Sequence, residues 1–407
     1  MQKSLLFIAL ISLLIFSQSE AQAPADTSVY LLTCGPGTET YSVYGHNALL
    51  VRIGSANKET VYNWGIFDFD TPNFTWKFAK GRLDYFLGTE PLNRFLQYYM
   101  LEKRYVWAQK INLEPSEITK LTLLINENLK PENISYRYDF FYDDCSTRIR
   151  DLLEKSIGSK LLYPPEVKED KTTFRKMVGK HQAPYPWYKF GVDLIMGSPG
   201  DKEAKVRDRM FIPADLQSGL SQAVVNRNGK MIPLLRNPEV ILDFPAPDVK
   251  PNFLLSPVFL FTLLLIIIII VTSMFRTRKM NNILDIVLYS VFSILAILMI
   301  FFNFFTDHQQ MSRNLNIIWL NPFILFCLGS IIMKKEGIIW FRIVFIISAG
   351  FLILQHFLPQ DFNIAFLPLA LILLVRSSLR ADFDWNPLSL KDVEIQTESQ
   401  KRQGKKG

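Results

Sequence analysis

Cysteine and histidine are scarce in this chain, and each scarcity excludes something. Three cysteines, Cys34, Cys145 and Cys327, cannot build the disulfide framework of a small secreted domain. Cys327 lies in an apolar run, where a thiol serves as a small buried hydrophobe. A Cys34–Cys145 disulfide stays open in an oxidising compartment. The four histidines have no cluster of cysteines or carboxylates around them, so no zinc site and no other cofactor is expected. The net charge of +7 gathers in short clusters beside apolar segments and in the tail KRQGKKG. Position matters more than sum there, and nucleic acid is not an expected partner.

What is present divides the chain between two solvents. Residues 1–23 read as a secretory signal: Lys3, the apolar LLFIALISLLIF, then small residues at Ala21 and Ala23 for cleavage, with an uncleaved membrane anchor as the alternative; either way the next segment is exported. No cysteine follows that run, so the chain is not itself lipid-modified there. Residues 24–252 mix charged, aromatic and aliphatic residues like a water-soluble domain. Beyond them come five apolar stretches, about 253–275, 283–305, 316–333, 338–358 and 362–377. The first two reach the roughly 20 residues a helix needs to cross a bilayer. Basic residues follow the first, third and fifth stretches: Arg276, Arg278 and Lys279, then Lys334 and Lys335, then Arg376, Arg380 and the tail. The connectors 306–316 and 359–363 are poor in Lys and Arg. Positive loops stay in the cytoplasm, so 24–252 and His308 are expected outside, and the basic tail 381–407 inside. An all-α five-span domain over 253–380 and an exported N-terminal domain are mutually consistent.

In the soluble half, Val29–Cys34, a strand beginning at His46, TVYNWGIFDF and RYVWAQKINL read as strands, and Pro115–Lys130 as a helix. The richest segment is YRYDFFYDDCSTRIRDLLEKSIG. It alternates aromatics like a strand, then places Ile149, Leu152, Leu153 and Ile157 on one helical face ending at Gly158. Asp143 or Asp144 suits the N-cap, which sets Cys145 in the first helical turn. There the unsatisfied N–H groups and the helix dipole favour a thiolate. A thiol nucleophile needs a base, and the exported part offers only His46 and His181. His46 sits at a turn-to-strand junction, where its ring can be aimed, whereas His181 falls in a loop with two prolines and is the poorer candidate. Taken alone, the pair also fits a buried core thiol and a satisfied turn histidine.

Read together, LLTCGPGTETYSVYGHNALLVRI, VYNWGIFDFDTPNFTWKFAKGRLDYFL and YRYDFFYDDCSTRIRDLL resemble the periplasmic domain of the Lnb family of bacterial lipoprotein N-acyltransferases. TDHQQMSRNLNIIWLNP resembles that family's membrane half. The resemblance covers about Val29 to Leu379, with several motifs in order. It implies a cysteine nucleophile at Cys145 and a histidine partner at His46. The one departure is Asp144, where the resemblance leads one to expect Asn. A strand His followed about a hundred residues later by a Cys at a helix start is also similar to the permuted papain-like proteins related to lecithin:retinol acyltransferase. The expected fold is therefore an α+β, papain-like (permuted, His before Cys) periplasmic domain followed by the five-span domain.

The expected reaction moves an acyl chain from a phospholipid to Cys145 as a thioester, then to the α-amine of a diacylglyceryl-cysteine lipoprotein. Both partners reside in the bilayer, and the expected location is the bacterial inner membrane. Supporting candidates are Asn63 to orient the imidazole, and Arg148, three positions after the cysteine, to hold a lipid phosphate. His308 is expected at the membrane surface, with Trp187 and Tyr188 as interfacial aromatics. The rival class is a membrane-anchored papain-like cysteine peptidase or amidase of the cell envelope, using the same pair. A non-catalytic membrane assembly factor is the third.

Overall fold

The computed structural model describes residues 24, 26–167, 171–274 and 277–383. The expected signal sequence, and all but the first residues of the expected tail, lie outside them. The described chain forms two compact units, and they are not consecutive in sequence. One contains the chain up to Asp70, Asp84–Glu166 and Val206–Pro247; the other contains Thr71–Leu83, Val167–Lys205 and everything from Asp248. The sequence suggests a single boundary near Asn252, but the chain crosses between the units several times. The first helix, α1 (Phe74–Ala79), lies between two strands of the sheet yet belongs with the helical unit.

The sheet unit is built on seven strands, β1 (Thr27–Cys34), β2 (His46–Ile53), β3 (Lys58–Ile66), β4 (Asp84–Pro91), β5 (Val106–Lys110), β6 (Ser135–Arg137) and β10 (Glu239–Leu242). Their order is β10-β5-β1-β2-β3-β4-β6, with antiparallel pairing throughout. Alternation along β1 and β2 divides the side chains between two cores. Val29, Leu31 and Leu49 pack with Leu121 and Ile125 of α3 (Pro115–Asn128) and with Cys145, Ile149 and Leu153 of α4 (Cys145–Ile157). Tyr30, Leu32, Cys34, Ala48 and Leu50 face the opposite way, onto Leu92, Phe95 and Tyr99 of α2 (Leu92–Leu101). Cys34 and Cys145 thus belong to cores on opposite faces, and all three cysteines are free thiols. A second sheet joins β7 (Leu161–Leu162), β8 (Val224–Arg227) and β9 (Lys230–Pro233) beside α7 (Pro213–Gln222). The aromatic run after Tyr136 leaves the sheet at Arg137 and turns, so the expected long strand there is only three residues.

In the helical unit, α5 (Phe174–Gln182) and α6 (Pro186–Ile195) precede the apolar helices. His181 is in the last turn of α5 rather than in a loop. The apolar helices are α8 (Pro257–Met274), α9 (Arg278–Phe304), α10 (Phe323–Ile332), α11 (Ile338–Leu354) and α12 (Phe366–Arg380). Among the described residues, three segments are long and apolar enough to cross a membrane: Pro257–Met274, Lys279–Phe304 and Ile338–Phe357. α10 and α12, at 10 and 15 residues, are shorter. At about 1.5 Å per residue they extend about 15 and 22 Å, against a hydrocarbon layer of about 30 Å. Asn321 and Pro322 delay the start of α10, and the 359–363 connector delays α12. Arg376 and Arg380, read from sequence as flanking charges, both grip Asp285 of α9, through Nε at 2.6 and 2.5 Å. Arg376 also reaches Thr272 and Asn281, so its buried charge is fully engaged by α8 and α9.

Candidate active site

The site is made by two chain turns, one that starts the central strand β2 at His46 and one that starts α4 at Cys145. Gly45 has φ +82°, and a Cβ there would come within 2.7 Å of the Cys34 carbonyl oxygen. Only glycine makes that turn, and it places His46 at the first position of β2, opposite Cys34 of β1. On the next strand, Asn63 precedes a register shift against β4, with Gly65 at φ +87° inside it. A Cβ on Gly65 would lie 3.8 Å from the Cys145 Cβ, an ordinary contact, so it is the left-handed backbone rather than crowding that calls for glycine beside the thiol.

The imidazole is held at one nitrogen. His46 Nε2 and Asn63 Oδ1 are 2.6 Å apart. A carbonyl oxygen only accepts, so Nε2 carries the proton and Nδ1 keeps its lone pair. Burial drives the His46 pKa down to about 4, against the opposing pull of Asn63. The ring is therefore neutral at physiological pH, with Nδ1 available as a base.

Cys145 opens α4. Asp144 is its N-cap: Oδ1 accepts from the N–H groups of Ser146 and Thr147 at 2.8 and 2.7 Å, and the Asp144 N–H donates to Thr147 Oγ1 at 2.7 Å. Asp144 is 1 % exposed. Burial pushes its carboxyl well above the usual carboxylate range, against the donors at its oxygens. It therefore places less negative charge beside the thiol than the sequence implies. Burial also raises the Cys145 thiol, and the N–H groups of Asn47 and Ser146 only partly offset it. This corrects the expectation of an enriched thiolate: the helix terminus stabilises the anion, but loss of water is the larger effect. The resting pair is a neutral thiol and a neutral imidazole.

Two residues that the sequence reading missed connect the cysteine to the histidine. The backbone N–H of Asn47, next to His46, is among the groups that pull the Cys145 thiol pKa down. The Asn47 side chain is buried, donates to the Leu32 carbonyl and Thr33 Oγ1, both at 3.2 Å, and accepts from Ser146 Oγ at 2.9 Å. Asn47 and Ser146, neighbours of His46 and Cys145, thus bolt β2 to α4. The available signal was a polar residue inside the apolar strand run HNALLV.

The remaining candidates separate. Arg148 is forked onto Asp143, Nε at 2.5 Å and Nη2 at 2.9 Å, and its guanidinium lies 3.5 Å from the Tyr136 ring centroid. It braces the start of α4, with much of its donor capacity already used. His308 belongs to the other unit, where Nε2 meets the Phe78 carbonyl at 2.8 Å. Trp187, in that unit too, donates to the Leu255 carbonyl at 2.8 Å and is half exposed beside the start of α8. Among the described residues, no group of three or more His, Cys, Asp or Glu side chains is placed to hold a metal ion.

A helix-borne thiol and a strand histidine in one sheet-and-helix unit, in a chain whose other unit carries helices long and apolar enough to cross a membrane, define the class: a membrane protein with a thiol- and histidine-bearing domain. Two family models match, the Lnb N-terminal periplasmic domain over residues 16–177 and the Lnb transmembrane domain over residues 248–382. The chain belongs to the Lnb family. No curated protein and no solved structure matches it.

Proposed function

We propose that the protein is a thiol-dependent lipoprotein N-acyltransferase of the bacterial inner membrane, with Cys145 as nucleophile and His46 as its base. The observation that carries this reading is the 2.9 Å hydrogen bond from Ser146 Oγ to Asn47 Oδ1, which ties the residue after Cys145 to the residue after His46, whose Nε2 is pinned by Asn63. Because both groups rest neutral, the proton moves as the bond forms. The sulfur attacks a phospholipid ester carbonyl while Nδ1 takes the thiol proton, and the C–O bond breaks as that proton passes to the lysophospholipid oxygen. The acyl group is then a thioester on Cys145. The α-amine of a diacylglyceryl-cysteine attacks it, its surplus proton goes to Nδ1, and the C–S bond breaks with return of that proton to sulfur.

In this reading the permuted papain-like arrangement is a means of placing the pair, and Asn63 positions the imidazole. Asp144 and Arg148 shape the helix start, and His308 takes no part in the chemical steps. The apolar helices α8–α12 make five crossings, the two short ones shielded by their neighbours, with residues 24–252 in the periplasm after a signal sequence at 1–23. Confinement of both lipid substrates to one membrane explains why a thiol domain is tied to a multi-helix anchor. Mass analysis of lipoprotein N-termini in cells lacking the protein tests it. The reading expects diacylated termini that regain an amide-linked acyl chain on return of the wild type and not of Cys145→Ala. Unchanged termini with altered envelope peptides would instead favour a cysteine peptidase or amidase.

A further inference from the structure

Residues 71–83 connect β3 to β4 in sequence, yet they pack within the helical unit and are fixed there at several points. Arg82 is ion-paired to Asp307, Nε to Oδ2 at 2.7 Å, and the Asp307 N–H donates to the Lys80 carbonyl at 2.9 Å. His308 Nε2 donates to the Phe78 carbonyl, and the Trp76 ring lies 5.5 Å from that of Phe301, in the last turn of α9. Gly81, at φ +69°, lets the backbones close: a Cβ there would come within 3.1 Å of the His308 nitrogen. A segment pinned this firmly would be expected to bury its large aromatics. Instead Trp76 is 56 % and Phe78 50 % exposed. Lys77 and Lys80 flank them, with the Lys80 ammonium 5.0 Å from the Trp76 ring centroid.

The location supplies the reason. α8 and α9 are successive spans, so the start of α8 and the end of α9 lie at the same face of the membrane. At the start of α8, Phe253, Leu254 and Leu255 are exposed beside half-exposed Trp187. Trp76 stands at the end of α9. Aromatics and lysines at the ends of apolar spans are the chemistry of a membrane–water boundary: rings at the headgroup level, amines at phosphates. We propose that residues 71–83 form a strap lying in the phospholipid headgroup layer, with Trp76 and Phe78 facing the acyl boundary and Lys77 and Lys80 facing lipid phosphate. The strap's contact with lipid stands whether or not Cys145 forms a thioester.

The test uses the full chain in lipid nanodiscs of phosphatidylcholine with phosphatidylglycerol. The three described cysteines are buried, so a nitroxide on Thr75→Cys, an exposed position next to Trp76, labels selectively. Its collisions with oxygen and with a water-soluble nickel chelate report depth. The expected result is a clear shift toward oxygen, relative to a label on exposed Lys230→Cys of the sheet unit. Lys77→Glu with Lys80→Glu should move the Thr75 label outward, and more so with phosphatidylglycerol present than without. Equal accessibility at Thr75 and Lys230 overturns the strap. A depth indifferent to charge reversal and lipid charge overturns the phosphate contact. Trp76→Cys is the alternative label site if Thr75→Cys does not fold.

Discussion

Replacing Asn63 by alanine removes the acceptor that fixes His46 Nε2, a contact of 2.6 Å. In the proposed attack the imidazole would become imidazolium, and the Asn63 bond would then be charge-assisted. Such bonds contribute about 1.5–3 kcal/mol. At about 1.4 kcal/mol per decade, the loss in transfer rate is roughly 10- to 150-fold. Asn63→Asp separates orientation from charge. A carboxylate at that distance raises a neighbouring imidazole by about 1–3 pKa units. His46, held by burial at about 4 in the wild type, would then lose its free base form at a higher pH. The assay is the initial rate of N-acyl lipopeptide formation from phospholipid, by mass spectrometry, across pH. Asn63→Ala should be slow at every pH, whereas Asn63→Asp should be slow mainly on the acid side and recover toward neutrality. If Asn63→Ala stays within about twofold of wild type, the imidazole is not held by Asn63 and the reasoning fails.

Three other outcomes follow from the same geometry. The rate at which phospholipid acylates Cys145, read without acceptor amine, should persist as pH falls through 6, because His46 protonates only near 4; an acid limb of that step at an ordinary histidine pKa would mean the ring is solvated in the working enzyme. Asp144→Ala should leave two buried N–H groups of α4 unpaired and cost about 2 kcal/mol, a drop of several degrees in Tm, while Asp144→Asn keeps the acceptor and should unfold near the wild-type temperature by calorimetry. A reporter active only in the periplasm, fused after Gly407, should stay silent; activity there would mean an even number of crossings.

Local signals carried the placement of the key residues, and tertiary ones did not. The glycine turn before His46 and the polar-to-periodic switch at Cys145 are features of neighbouring residues, so both element starts were legible. Gly158 closes α4 as its position suggests. The Asn47–Ser146 bond joins residues 99 apart, and no local pattern announces it. The thiol's protonation was misjudged for the same reason. A helix terminus is visible in sequence, but the depth of burial that outweighs it is not. The apolar runs were found, yet Asn321, Pro322 and the 359–363 connector use residues that a composition count assigns to spans. Arg376 looked like a flanking charge because Asp285, its partner 91 residues earlier, carries no periodic mark. The aromatics of 71–83 were visible as residues, while their membership of the helical unit depends on Asp307 and His308 far along the chain.

The covalent role of Cys145 is tested most directly by trapping its acyl-enzyme. Purified protein in phospholipid nanodiscs, without lipoprotein acceptor, should gain the mass of one acyl chain on the peptide containing Cys145. Neutral hydroxylamine should release it, and a diacylglyceryl lipopeptide should discharge it with appearance of the N-acyl product. Cys145→Ser keeps the helix start but offers a hydroxyl whose proton is far harder to remove, and should lower transfer by about 10²–10⁴-fold. His46→Ala should cost a similar factor, and the double variant little more, since members of one catalytic unit are not additive. A Cys145→Ser protein that N-acylates lipopeptide at near wild-type rate would contradict the thioester mechanism outright.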